Sequence, residues 1–128
     1  MRNNPEFVEA VVRNGKEVIV SVLADKAFGL DCPGGRIRLL YCVPHYPAQL
    51  NEFKLADVEF SQTKFSGLSD HSIGIEVAMV ALSRGATIIE KHVTLDRNDE
   101  HGPDHICSME SHELKQLVGF ARKVEEIL

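Results

Sequence analysis

The sequence predicts an α/β domain in which about four parallel strands alternate with helices. Three observations predict it. Short runs rich in Val, Ile and Leu recur along the chain, as in strands buried on both faces of a parallel sheet. Segments of helical length and period stand between these runs. Two histidines also fall where parallel strands should end: His71 closes Lys64-Phe-Ser-Gly-Leu-Ser-Asp-His71, and His92 lies within Ala86-Thr-Ile-Ile-Glu-Lys-His-Val-Thr-Leu95. A strand, a helix and a second strand make a crossover unit whose strands run parallel, so both imidazoles reach one rim.

Asn4-Pro5 marks a helix start, with Asn as cap and Pro in the first turn. Phe7, Val8, Val11 and Val12 give that helix an apolar stripe, and Gly15 ends it. Glu17 to Leu23 reads as the first strand and Ile37 to Val43 as the second, stopped by Pro44 and Pro47. The Gly- and Pro-broken stretch from Ala24 to Arg36 reads as loop. Leu50 to Phe60 is expected to form a short helix. Phe65 to Asp70 is the third strand, Ile73 to Arg84 a helix ended by Gly85, and Ala86 to Leu95 the fourth strand. Asp96 to Ser108 is a long polar loop. Ser111 to Leu128 is the last helix, with Leu114, Leu117, Val118, Ala121, Val124 and Leu128 on one face. Two architectures fit this order: half of an eight-stranded (β/α) barrel, which when whole needs about 250 residues, or a small open sheet with helices on both faces.

The 128 residues suffice for one domain with a real core. Apolar residues make up 44% and charged residues 26%, ordinary for a globular protein. No apolar run approaches the roughly 20 residues that span a bilayer, and the N-terminus lacks a signal-peptide pattern. A cytoplasmic protein without membrane partners is expected. The net charge of −5 argues against a general nucleic-acid binder. Cys32, Cys42 and Cys107 form no Cys-x-x-Cys pair, so neither a zinc ribbon nor a disulfide framework is supported. Cys42, inside an apolar strand, reads as a small core residue. The glycines of Gly29 to Gly35 match no phosphate-loop or dinucleotide pattern.

Strand side chains alternate, so Ser69 shares a face with His71, and Glu90 with His92. Neighbouring strands lie about 4.8 Å apart. Two imidazoles on adjacent strand ends therefore reach one divalent ion, leaving positions open for water and substrate oxygens. Asp104 or Glu90 would complete the shell or orient a histidine. Blander readings stand beside this one. A lone strand histidine is usually a hydrogen-bonded structural residue, Asp70 and Ser72 read as helix caps, and Glu90 with Lys91 reads as a strand-end charge pair. Asp96, Arg97, Asp99 and Glu100 read as a solvated loop. His101, His105 and His112 have no regular ligand spacing.

Four stretches resemble the N-acetylneuraminate (sialic acid) synthase family, including the related spore-coat polysaccharide synthases. They are Leu39-Leu-Tyr-Cys-Val-Pro-His-Tyr-Pro47, Gly67-Leu-Ser-Asp-His-Ser-Ile-Gly74, Ile88-Ile-Glu-Lys-His-Val-Thr-Leu-Asp-Arg97 and Gly102-Pro-Asp-His-Ile-Cys-Ser-Met109. The resemblance implies a partial (β/α) TIM-type barrel, the second half of the family's barrel domain, without its antifreeze-like C-terminal domain. It implies condensation of phosphoenolpyruvate with an N-acetylated aminosugar of the N-acetylmannosamine type, giving a nonulosonic acid and phosphate. It further implies a divalent metal, Mn2+ or Mg2+, held by His71 and His92. Ser21 and Ser69 align with hydroxyls that contact the phosphate of phosphoenolpyruvate, and Tyr46 and Asp104 with residues near the sugar. His71, His92 and Asp104 are the catalytic candidates.

The sequence also departs from the family's pattern. Ser21-Val-Leu-Ala24 replaces a Ser-Thr-Gly-Met motif, and Pro44 stands where the family often has Ser or Asn near the phosphate. Pro44 offers neither a side-chain donor nor a backbone N–H. The family's first barrel half supplies a glutamate and lysines that no segment here matches. The chain is therefore expected to need a complementary barrel-half chain, or a second copy as a homodimer, and to be inactive alone. The alternative is a non-catalytic binding or assembly module of the same fold, favoured by Ser21-Val-Leu-Ala24 and Pro44. A further reading is another metal-dependent aldolase or isomerase.

Overall fold

A computed structural model of the chain describes residues 10–11, 13–23, 37–99 and 102–128. Among these residues four strands form one parallel sheet: β1 (Val18–Val22), β2 (Ile37–Cys42), β3 (Phe65–Asp70) and β4 (Ile88–Lys91). Their spatial order is β1-β2-β3-β4. An open doubly wound sheet reverses its order at a switch point, whereas a barrel adds each strand beside the last. The observed order is that of a barrel arc. Helix α1 (Glu76–Ser83) crosses from β3 to β4, and helix α2 (Ser111–Ile127) follows β4.

One face of the sheet carries the core. Leu39, Tyr41 and Val43 of the β2 segment, and Phe65 and Leu68 of β3, pack with Val77, Ala78 and Ala81 of α1 and Leu117 of α2. Phe65 and Leu68 are three apart, an offset that plain alternation would not put on one face. A register shift between Leu39 and Leu40 resolves this, pairing Leu39 with Phe65 and Leu40 with Gly67. The extra residue, Ser66, resets the alternation. The opposite face then carries Ser21, Cys42, Ser69 and Glu90, matched through the pairings Cys42 with Ser69 and Ser69 with Glu90.

β3 has the expected bounds, and β1, β2 and the last helix are one or two residues shorter than expected. Four expectations need correction. The fourth strand covers only Ile88–Lys91 of the expected Ala86 to Leu95. Leu50 to Phe60 is no single helix but a chain of 3-10 turns at Leu50–Glu52, Leu55–Asp57 and Phe60–Gln62. The Arg84 guanidinium accounts for part of this, because it donates to the carbonyls of Val58 (2.6 Å) and Ala56 (2.9 Å) that an α-helix would use internally. Helix α1 begins at Glu76 rather than Ile73, because Gly74 sits at φ +81°. Its cap position is Ile75, so Asp70 and Ser72 are not caps. Gly85, at φ +88°, ends the helix as expected. The first-helix residues Asn4, Pro5, Phe7, Val8 and Val12, the loop from Ala24 to Arg36, Glu100 and His101 lie outside the described residues.

Among the described residues no helix is long and apolar enough to cross a membrane.

Candidate functional site

The C-terminal ends of β2, β3 and β4 carry the candidate residues to one rim. His71 follows β3 directly and is buried, with 5% of its surface exposed. His92 follows β4 directly and is exposed. Their ring centroids are 5.9 Å apart. Tyr46 lies against both, stacked on His71 at 3.9 Å and edge-on to His92 at 5.9 Å. The Tyr46–Pro47 peptide is cis.

The hydrogen bonds around His71 assign its tautomer. Nδ1 lies 3.0 Å from the Val43 carbonyl, which only accepts, so the ring proton sits on Nδ1. Nε2 then carries a lone pair. The Ser69 hydroxyl lies 3.5 Å from it. That hydroxyl has one proton, and it goes to Glu90 Oε1 at 2.7 Å. Nε2 is thus left as a ligand-ready nitrogen, oriented by a backbone carbonyl as metal-binding imidazoles commonly are.

Glu90 is the hub of the inner face. The Ser21 hydroxyl also donates to its Oε1, at 3.3 Å. Ser21 and Ser69 therefore converge on one carboxylate oxygen. A strand-end pair of Glu90 with Lys91 is not what forms, because adjacent strand residues face opposite sides. Lys91 instead pairs with Asp70 at 3.1 Å. Cys42 is buried as expected, yet on this inner face, with Sγ 3.9 Å from His71 Nδ1. Burial pushes its thiol above the usual range, more than the neighbouring Ser69 hydroxyl lowers it.

Asp104 joins the site through charge. Partial desolvation raises the Tyr46 phenol above its usual value, and Cys42, Asp104, Cys107 and Glu90 add to that in turn. The Asp104 carbonyl accepts from Ser108 Oγ at 2.8 Å and Cys107 Sγ at 3.2 Å. The stretch from Asp96 to Ser108 is not simply solvated. Arg97 pairs with Glu113 and donates to the Ser108 carbonyl at 3.2 Å, and His105, set aside from spacing, lies 2.8 Å from the buried Thr94 hydroxyl.

The donors suit a divalent ion taking two imidazole nitrogens, with water and substrate oxygens in its other positions. Among the described residues no group of three or more His, Cys, Asp or Glu is arranged to hold a metal. The candidate residues that face one another on this rim are His71 and His92. The sequence signal for Glu90 as hub was its shared face with His92. The signal for the Asp70–Lys91 pair was the opposite charges immediately before each histidine.

The chain matches the NeuB family model over residues 2–128. It is 33% identical to the N,N'-diacetyllegionaminic acid synthase of Campylobacter jejuni, over 98% of this chain and 41% of that protein. It is 29% identical to the human N-acetylneuraminate-9-phosphate synthase, over 98% of this chain and 38% of that protein. The N-acetylneuraminic acid (sialic acid) synthetase of Leptospira borgpetersenii, solved in complex with citrate, superposes with a TM-score of 0.77 at 32% identity. That match covers 97% of this chain and 47% of the other. The chain thus spans about two-fifths of the length of the curated relatives it matches. The four-stranded arc with its helices is a partial (β/α) barrel of the TIM type, and the chain belongs to the NeuB family.

Proposed function

We propose that this chain forms the metal-holding rim of a nonulosonic acid synthase, which condenses phosphoenolpyruvate with an N-acetylated aminosugar of the N-acetylmannosamine type and releases phosphate. One observation carries the reading: the His71 Nδ1–H bonded to the Val43 carbonyl, which frees Nε2 beside a second imidazole. His71 and His92 are the proposed ligands of Mn2+ or Mg2+, an ion that would polarise the aldehyde oxygen of the sugar. Val43 holds the His71 ring through its carbonyl, and Tyr46 packs on the face of that ring. The Tyr46 phenol, raised above its usual value, stays protonated at neutral pH and offers the sugar a hydrogen-bond donor. Asp104, whose charge is felt at Tyr46, offers an acceptor. Ser21 and Ser69 offer hydroxyl donors to the phosphate and exchange their bonds to Glu90 when it arrives.

β1 and β4 each pair on one side only among the described residues. A complementary barrel half, or a second copy of the chain, is the proposed partner for those edges, in the cytoplasm. The test is phosphate release from phosphoenolpyruvate and N-acetylmannosamine in Mn2+, with the first barrel half of a relative supplied as a separate chain. Release that disappears in His71→Ala supports the proposal. A bound first half with no release in any divalent metal would refute it and leave a non-catalytic module.

A further inference from the structure

The side chains of Asp70 and Lys91 are both 0% exposed, in the layer between sheet and helices where a barrel normally buries aliphatic groups. They are register partners on β3 and β4. Lys91 Nζ donates to Asp70 Oδ2 at 3.1 Å and to the Ser72 carbonyl at 2.7 Å. Asp70 Oδ1 accepts from the Ser72 amide at 2.8 Å and from its hydroxyl at 2.7 Å. The pair therefore grips Ser72 at its amide, hydroxyl and carbonyl. Asp70 and Ser72 flank His71, and Lys91 directly precedes His92.

Buried ion pairs contribute little net stability compared with apolar groups of the same shape, so stability alone does not explain one here. Register does. Sliding β4 by two residues would set Ile89 or Val93 against Asp70 and strand a buried carboxylate. Sliding it by one would turn His92 towards the helices. The His92 ring has no hydrogen-bond partner among the described residues, only contacts with Tyr46 and His71. Its position is set by its backbone, which Lys91 anchors on one side and a bond from the Met109 amide to the His92 carbonyl (2.9 Å) on the other.

From this we infer that Asp70 and Lys91 are positioning residues: a buried cross-strand lock that holds His71 and His92 at the separation a shared ion requires. The inference rests on the metal-site reading above for its purpose, and on the ion pair for its mechanism. The test is Asp70→Asn with Lys91→Met in one chain. Replacing both partners avoids stranding one charge, and the Asn oxygen still accepts from Ser72. Two readouts are used: Mn2+ affinity by electron paramagnetic resonance, and cross-relaxation between the His71 and His92 ring protons in metal-free protein by nuclear magnetic resonance.

The lock predicts a folded double variant, Mn2+ affinity at least tenfold weaker, as for losses of outer-shell support, and loss of the ring–ring signal. A folded double variant with affinity within twofold of wild type and an unchanged ring–ring signal overturns it. If wild type binds no Mn2+, the metal reading fails by itself and the metal-free ring signal alone decides the lock. If the double variant does not fold, Lys91→Arg takes its place. It keeps the charge but puts a wide planar fork where one ammonium fitted, and unchanged ring contact and affinity there would equally overturn the lock.

Discussion

Gly67→Ala is the sharpest test of how closely β3 and β4 approach. A Cβ at position 67 would stand 1.8 Å from the Ile88 carbonyl oxygen and 2.6 Å from its carbon. Ordinary contact begins near 3.4 Å, so the strands would have to part by about 1.6 Å, a third of the ~4.8 Å strand spacing. The clash is with backbone, so no rotamer change relieves it. Overpacking a core costs about 1–3 kcal/mol and occasionally more. With the β3–β4 ladder opened as well, about 3 kcal/mol is expected. At about 2.1 cal/mol/K per residue, the unfolding entropy of a chain this size is roughly 0.27 kcal/mol/K, so Tm should fall by about 11 °C.

Gly119→Ala supplies the matched control. It makes the same chemical change inside α2, where an added Cβ meets nothing within 4 Å. Alanine is the better helix former, so this variant should gain about 0.5–1 kcal/mol. The assay is thermal unfolding followed by circular dichroism, on both variants and wild type. Gly67→Ala within about 1 kcal/mol of wild type would refute the close approach, since that cost is below any credible backbone clash.

Arg97→Ala should destabilise the protein by about 1.5–3 kcal/mol, the range for hydrogen bonds to charged groups. It removes the pairing with Glu113 and the bond to Ser108. Urea unfolding measures the loss, and proteolysis should cut the loop after β4 sooner. Cys42 and Cys107 are buried, and desolvation raises both thiols above their usual value. At pH 8 both should alkylate more slowly in folded protein than in urea, as read by mass spectrometry; equal rates would contradict their burial. The Gln49 amide, and then His45, hydrogen-bond to the Glu52 carboxyl and hold it below its usual 4.5. Its contribution is therefore fully present above pH 4.5 and lost as pH falls through the lower folded value. The stability gap between wild type and Glu52→Gln should be constant above that pH and shrink below it.

The parallel sheet and the pairing of His71 with His92 on one rim were legible because local pattern carries them. Apolar runs mark strands, and a crossover makes two strand ends neighbours. What the pattern could not carry was partner choice. Asp70 beside a loop start reads as a helix cap, and nothing local says that its carboxylate meets an ammonium 21 residues away. Lys91 beside Glu90 reads as a charge pair until their opposite faces separate them. Arg84 undoes a helix in a distant segment by taking two of its carbonyls, which no window over 50–60 contains. Ser66 is invisible as a bulge because only pairing with β2 defines one. The glycine of Gly67-Leu-Ser-Asp-His71 was legible as a motif residue, while its reason, the Ile88 carbonyl, came from the neighbouring strand.

The central claim is that His71 and His92 share one ion. It is tested most directly by pulsed electron paramagnetic resonance of Mn2+ bound to protein carrying 15N-histidine, beside His71→Ala and His92→Ala. Two coupled imidazole nitrogens in wild type, and weakened or absent binding in each variant, is the expected result. Mn2+ that shows only oxygen ligands, or that binds equally well without either imidazole, would contradict the claim.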